Sequence, residues 1–161
     1  MSSDSASPFA PTLFIRDHCL CLHAQRAARA LARRFDAAFR PLGLTSGQFS
    51  LLNALNRPAP PTLGEVAELL GMDRTTLTAA LKPLERGGRV IVETDARDRR
   101  LRRLRLTEAG AALLAAARPL WVAEHEALER ELPVSGDGLR TGLDALAGFA
   151  VPGSVSADTS A

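Results

Sequence analysis

The chain has 161 residues, enough for one domain with its own core or for a small domain with a dimerisation arm. Aromatic residues make up only 4% and tyrosine is absent, so the core must be built from Leu, Ala and Val, which favours helices over a β-sandwich. With two cysteines, no apolar run near the ~20 residues of a bilayer span and no secretory leader in MSSDSASPFAP, a chain of formal charge +2 is expected in the cytoplasm, away from membranes and disulfide frameworks.

Residues 1–11, small and polar with Pro8 and Pro11, read as a flexible arm. Residues 13–40 predict one long helix, with Leu20, Ala24, Ala27, Ala28, Leu31, Phe35, Ala38 and Phe39 near a 3.6 period, ended by Pro41 and Gly43. Thr45 with Gln48 forms a capping box for a second helix that turns Phe49, Leu52 and Leu55 inward. Residues 57–61 are a proline-rich connector with the character of a short β segment. A second capping box, Thr62 with Glu65, opens a helix with Val66, Leu69 and Leu70 inward and Gly71 at the following turn.

Asp73 is the N-cap of the next helix, whose apolar face is Leu77, Leu81 and Leu84 and whose opposite face carries Arg74, Thr75, Thr78 and Lys82. Pro83 removes a helical bond and predicts a bend near the end of that helix, and Gly87 and Gly88 supply the left-handed stop. Residues 90–93 and 101–106 predict a β-hairpin around a polar tip rich in arginine. Thr107 caps a long helix with Leu113, Leu114, Ala117, Trp121 and Leu128, kinked at Pro119. Ser135 caps a last helix with Leu139, Leu143, Leu146 and Phe149 on one side, and residues 151–161 read as a disordered tail.

Charge is unevenly distributed. Lys82, Arg86, Arg89, Arg97, Arg99, Arg100, Arg102, Arg103 and Arg105 crowd the helix-and-hairpin segment, whereas acidic residues dominate after Thr107. A basic centre beside an acidic tail suits a chain that presents one face to a polyanion.

The order helix, glycine stop, strand, basic tip, strand is that of a helix-turn-helix with a wing. Two segments carry a specific likeness: Asp73-Arg74-Thr75-Thr76-Leu77-Thr78 leading to Leu84-Glu85-Arg86-Gly87-Gly88, and Asp98-Arg99-Arg100 followed by Leu104-Arg105-Leu106-Thr107-Glu108-Ala109-Gly110. Over roughly residues 16–132 the chain resembles the MarR (multiple antibiotic resistance regulator) family of transcription factors. The resemblance implies a mainly α fold with a small β-wing. Residues 12–150 would form a single domain, with 45–106 as winged helix-turn-helix and 12–44 and 107–150 as the helices that intertwine in a homodimer. Two recognition helices would then read half-sites of a palindromic operator about 10 bp apart on double-stranded DNA.

Arg74, Thr75 and Thr78, with Thr76 beside them, are the expected major-groove contacts and Lys82 a phosphate contact. At the wing, Arg100 is expected in the minor groove, held by Asp98, with Arg97, Arg99 and Arg102 on the backbone. The resemblance further implies a repressor released by a small molecule or by thiol oxidation. Cys21 falls where hydroperoxide-sensing members carry a reactive cysteine, and Phe35 where those members carry a tyrosine.

Four readings of the Cys19/Cys21 region and its surroundings stand together. The cysteines are buried hydrophobes, or oxidant sensors, or metal ligands with His18, His23 and His125. Alternatively, an aromatic or carboxylate ligand sits among Phe35, Phe39, Phe49 and Trp121 with Arg26 or His23 pairing its acid group. Cys19 and Cys21 are two apart on the predicted helix and point to nearly opposite sides, so a disulfide between them would require unwinding it. A winged-helix protein-interaction module without DNA binding is the competing function, although the abundant wing arginines speak against it. No phosphate-binding glycine loop, nucleophile elbow or metal triad is present, so neither an enzyme nor a cofactor is expected.

Overall fold

The computed structural model describes residues 9–148; Phe149, the first eight residues of the arm and the predicted tail lie outside them. Seven helices and one hairpin follow in the order α1 (Ala10–His18), α2 (Leu20–Phe39), α3 (Ser46–Leu55), α4 (Leu63–Leu69), α5 (Arg74–Arg86), β1 (Val90–Thr94), β2 (Arg102–Leu106), α6 (Glu108–Glu131) and α7 (Gly136–Ala147), with a 3-10 turn at Arg40–Leu42. The fold is mainly α with a two-stranded antiparallel wing, in the register Val90↔Leu106 to Thr94↔Arg102.

Both capping boxes form. Gln48 N–H donates to Thr45 Oγ1 at 3.2 Å and Thr45 N–H to Gln48 Oε1 at 3.1 Å, and the Thr62/Glu65 pair repeats the exchange. Residues 57–61 form no strand; an isolated bridge follows at Thr62↔Arg103, with Leu104 N–H donating to Pro61 O at 2.9 Å. This third segment fastens the wing to the connector between α3 and α4.

α3 is the hub. Its Leu51, Leu52, Ala54 and Leu55 are buried, and it packs against α2, α4, α5, α6 and β2. Phe39, Val66, Leu77, Leu81, Leu84, Val90, Leu104, Leu114 and Ala117 complete one core. The predicted inward positions Leu20 and Leu69 are exposed instead, so their periodicity marks an apolar face that this chain alone does not cover.

Two expectations need correction. The long first helix is interrupted at Cys19, whose backbone is extended (φ −75°, ψ 104°) and whose Sγ caps α2 by accepting Leu22 N–H at 3.4 Å. The left-handed stop after α5 belongs to Gly88 alone (φ +66°), since Gly87 has negative φ. α5 and α6 run on through Pro83 and Pro119.

Gly110 sits where α6 meets the α5–β1 turn. A Cβ there would lie 2.2 Å from the Arg89 carbonyl oxygen, so only glycine permits this approach. Thr107 seals the same junction, its hydroxyl donating to Gly88 O at 2.8 Å and its N–H to Arg89 O at 3.1 Å. Among the described residues no helix is long and apolar enough to cross a membrane.

Leu81→Ala removes a fully packed side chain beneath α5 and is expected to cost about 2–5 kcal/mol in urea unfolding. Leu69→Ala, at an exposed position, is expected to stay within about 0.5 kcal/mol.

Candidate nucleic-acid interface

α5 presents its polar face because Leu77, Leu81 and Leu84 are pinned to the core. Asp73 fixes the start of the helix, accepting Thr76 N–H at 2.8 Å and Thr76 Oγ1–H at 2.6 Å. These bonds from Thr76 hold the Asp73 carboxyl below its ordinary pKa. The Thr78 hydroxyl donates back to Arg74 O at 2.7 Å. Both hydroxyl protons are therefore engaged, and Thr76 and Thr78 offer a partner lone pairs rather than donors. Arg74, Thr75 and Lys82 are exposed and hold the face's free donors. The Arg74 guanidinium leans over Gly64, where a Cβ would stand 3.5 Å from its Nη2.

The wing tip is organised by a residue that the sequence does not single out. Asp95 is the one buried charged side chain among the described residues, 9% exposed. Its Oδ1 accepts Arg97 N–H at 2.7 Å and Asp98 N–H at 2.8 Å, and its Oδ2 pairs with Arg103 Nε. Arg103 in turn donates through Nη1 to Pro60 O at 2.8 Å. One carboxylate thus shapes the turn and, through Arg103, clamps the hairpin to the α3–α4 connector. Its pKa is pushed down to about 2, first by the Arg103 bond and then by the two amides. The local signal was present, since an aspartate before a turn readily accepts the amides two and three residues on. The buried partner was not visible.

Asp98 holds the Arg100 guanidinium only by a long ion pair. It accepts the Arg100 backbone N–H at 3.0 Å, while the side chains stand 4.0 Å apart and Arg100 remains 94% exposed. Asp98 shapes backbone and keeps the guanidinium in a long, exposed ion pair rather than a direct hydrogen bond. Arg102 donates to Thr94 Oγ1 across the strands, and Arg105 pairs with Glu93 at 2.6 Å. Arg97 and Arg99 are exposed at the tip. The stem is electrically paired and the tip is cationic.

The residues expected to sense an effector do not converge on one site. Phe35, Phe39, Phe49 and Trp121 form a ladder of aromatic contacts with centroid separations of 6.1, 4.8 and 6.4 Å, but Phe39 is fully buried in the core. Phe49 and Trp121 do border a cavity of about 540 Å³ between α3, α4 and α6, with Asn53, Leu70, Leu114 and Arg118. Arg118 was missed because its role depends on the packing of three helices. Phe35 is absent from that lining, and His23 and Arg26 lie along α2 in a separate groove with Arg29 and Arg33.

Cys19 is half-buried and Cys21 exposed. The interruption at Cys19 puts His18 on α1 and Cys21 on α2, so the two lie on different helices. The His18 ring lies 2.8 Å from Phe14 O and the His23 ring 3.2 Å from Asp17 O. Among the described residues no three His, Cys, Asp or Glu side chains gather as a metal site.

Comparison with known proteins places this geometry. A family model described as MarR family matches residues 42–101. The DNA-bound structure of the Mycobacterium tuberculosis transcriptional regulator MosR is 36% identical over 81% of this chain and 95% of that one, with a TM-score of 0.75. The transcriptional repressor CouR bound to p-coumaroyl-CoA is 27% identical over 83% of this chain and 94% of that one, with a TM-score of 0.72. The transcriptional activatory protein BadR of Rhodopseudomonas palustris is 32% identical over 112 residues, 68% of this chain, and the match spans only 60% of BadR.

The Asp95 carboxylate is depressed in the folded chain, so its contribution is complete above its unfolded pKa of about 3.9 and is lost as pH falls through about 2. Amide protection at Arg97 and Asp98 is therefore expected to fall between about pH 4 and pH 2. In Asp95→Asn, which keeps an acceptor oxygen but loses the charge facing Arg103, it is expected to be lower already at neutral pH. Hydrogen exchange followed by NMR checks both.

Proposed function

Because this chain belongs to the MarR family, we propose that it is a homodimeric, DNA-binding transcriptional regulator that acts in the cytoplasm as a repressor of a palindromic operator. The observation that carries the reading is the wing: a buried aspartate holds a hairpin whose exposed tip arginines directly follow α5 and its free donors. Arg74, Thr75, Thr76, Thr78 and Lys82 serve the major groove, with the two engaged hydroxyls acting as acceptors. Arg100 serves the minor groove, Arg97, Arg99 and Arg102 serve the backbone, and Asp98 sets the turn. The DNA-bound MosR relative supports DNA binding by this fold.

Residues 45–106 act as the reading unit and residues 12–44 and 107–150 as the dimerisation helices. Leu13, Phe14, Ile15 and Leu20 at one end and Leu139, Leu143 and Leu146 at the other expose apolar side chains that a second copy would cover. CouR is a repressor and BadR an activator, so the sign of regulation is the finer part of the proposal.

Release by an organic effector draws on the cavity between α3, α4 and α6. Its apolar walls suit an aromatic or acyl group, and Arg118 at its edge suits an acidic one. Release by oxidation draws on Cys19 and Cys21.

Fluorescence anisotropy on DNA from upstream of the protein's own gene tests the proposal. Neutralising six to ten phosphates predicts that affinity falls roughly 10³- to 10⁵-fold between 50 and 200 mM salt. Arg100→Ala is expected to weaken binding about tenfold or more, and light scattering is expected to give twice the chain mass. Binding by Arg100→Ala equal to the parent's would overturn the wing assignment, and a one-chain mass the dimer. Arg118→Ala is expected to leave operator affinity intact while weakening the response to aromatic carboxylates.

A further inference from the structure

We propose that the arginine row along α2 binds a small molecule that carries two or more linked phosphates. The inference goes beyond the DNA-binding reading and stands independently of it, because that reading assigns these arginines no contact. Arg26, Arg29 and Arg33 are exposed and line one groove of about 580 Å³ with His23, floored by the small side chains of Ala27 and Ala30. Spacings of three and four residues hold the three guanidiniums on one side of the helix.

Several other arginines are answered by carboxylates: Arg34 meets Glu124 and Glu131, Arg103 meets Asp95, Arg105 meets Glu93, and Arg140 meets Glu129 and Asp137. The α2 groove has no carboxylate in its lining, and the single acidic residue of α2, Asp36, is taken up by the Ser46 N–H at 2.6 Å. The Arg29 guanidinium donates to the neutral Gln25 Oε1 at 3.2 Å. Like charges three and four apart repel one another. The first turn of α2 also holds no acidic residue to oppose the positive end of the helix dipole. The row is thus an arrangement of mutual repulsion that a bound anion relieves.

Length selects the anion. The helix rises about 10 Å from Arg26 to Arg33, further than one phosphate bridges, so a linked diphosphate or triphosphate, as in a nucleotide, is what meets all three forks. A carboxylate would satisfy one arginine and leave the repulsion between the other two. DNA is a different source of the same phosphates, but another surface serves it: α2 is held by α3 and α6, whereas α5 is held by α3, α4 and β1. The groove therefore suits a soluble ligand rather than the operator.

The test is isothermal titration of the full-length protein with inorganic tripolyphosphate and with ADP, against orthophosphate and acetate. Tripolyphosphate and ADP are expected to bind saturably and about tenfold or more tighter than orthophosphate, with acetate silent. The double variant R29Q/R33Q is expected to weaken tripolyphosphate binding about tenfold or more, while its melting temperature, light-scattering mass and operator affinity match the parent's. Arg100→Ala is expected to bind tripolyphosphate as the parent does. Equal affinity for orthophosphate and tripolyphosphate, or unchanged binding by R29Q/R33Q, would overturn the site. Loss of tripolyphosphate binding in Arg100→Ala would assign the anion to the wing, and a fall in operator affinity in R29Q/R33Q would assign the row to DNA. A smaller mass for R29Q/R33Q would make the row a contact between copies of the chain. Each of these three results also overturns the proposal.

Discussion

Burial of one face of α3 is the constraint on which the other elements depend. Leu51, Leu52 and Leu55 must leave water together, and the surfaces that remove them from it belong to α2, α5, α6 and β2. The polar face of α5 is thereby aimed outward, since its three leucines are committed inward. The same packing brings β2 against the core through Leu104, so that the wing is not a free hairpin but an extension of the hydrophobic interior. The cavity between α3, α4 and α6 is the place where this packing is incomplete, beside Trp121 and Arg118.

On that scaffold a polar network sets the fine geometry. Asp95 gathers two backbone amides and Arg103, and Arg103 reaches the Pro60 carbonyl in the connector between α3 and α4. A single charged group thereby relates the hairpin tip to the helix pair that borders the cavity. A buried carboxylate that accepts three hydrogen bonds specifies one arrangement of the tip more sharply than apolar packing could.

Elements governed by local chemistry were legible in the sequence. Asp73, Thr45, Thr62, Thr107 and Ser135 each cap the helix expected of them, because an N-cap needs only its own next turn. The hairpin was read to within a residue at its strand ends. The interruption at Cys19 was not legible, since neither glycine nor proline marks it and the apolar period runs on through Leu20 and Ala24. Asp95 could be seen as a turn residue but not as a clamp, because Pro60 lies far from it along the chain. The scatter of Phe35, His23 and Arg26 away from the cavity has the same origin: shared helical spacing does not tell which face the other helices leave open.

The pairing of charges along the wing also bears on how quickly the protein finds its target. Arg103 and Arg105 are matched by Asp95 and Glu93, so the stem projects little field, and at the far end three arginines, Arg97, Arg99 and Arg100, face the single carboxylate of Asp98. Such a hairpin behaves as a short-range probe whose pull fades within a Debye length, about 10 Å at 0.1 M salt. It would add little to long-range capture by the duplex and much to the last step of docking. Removing the tip charges should therefore lengthen the search less than it shortens the residence of the bound complex.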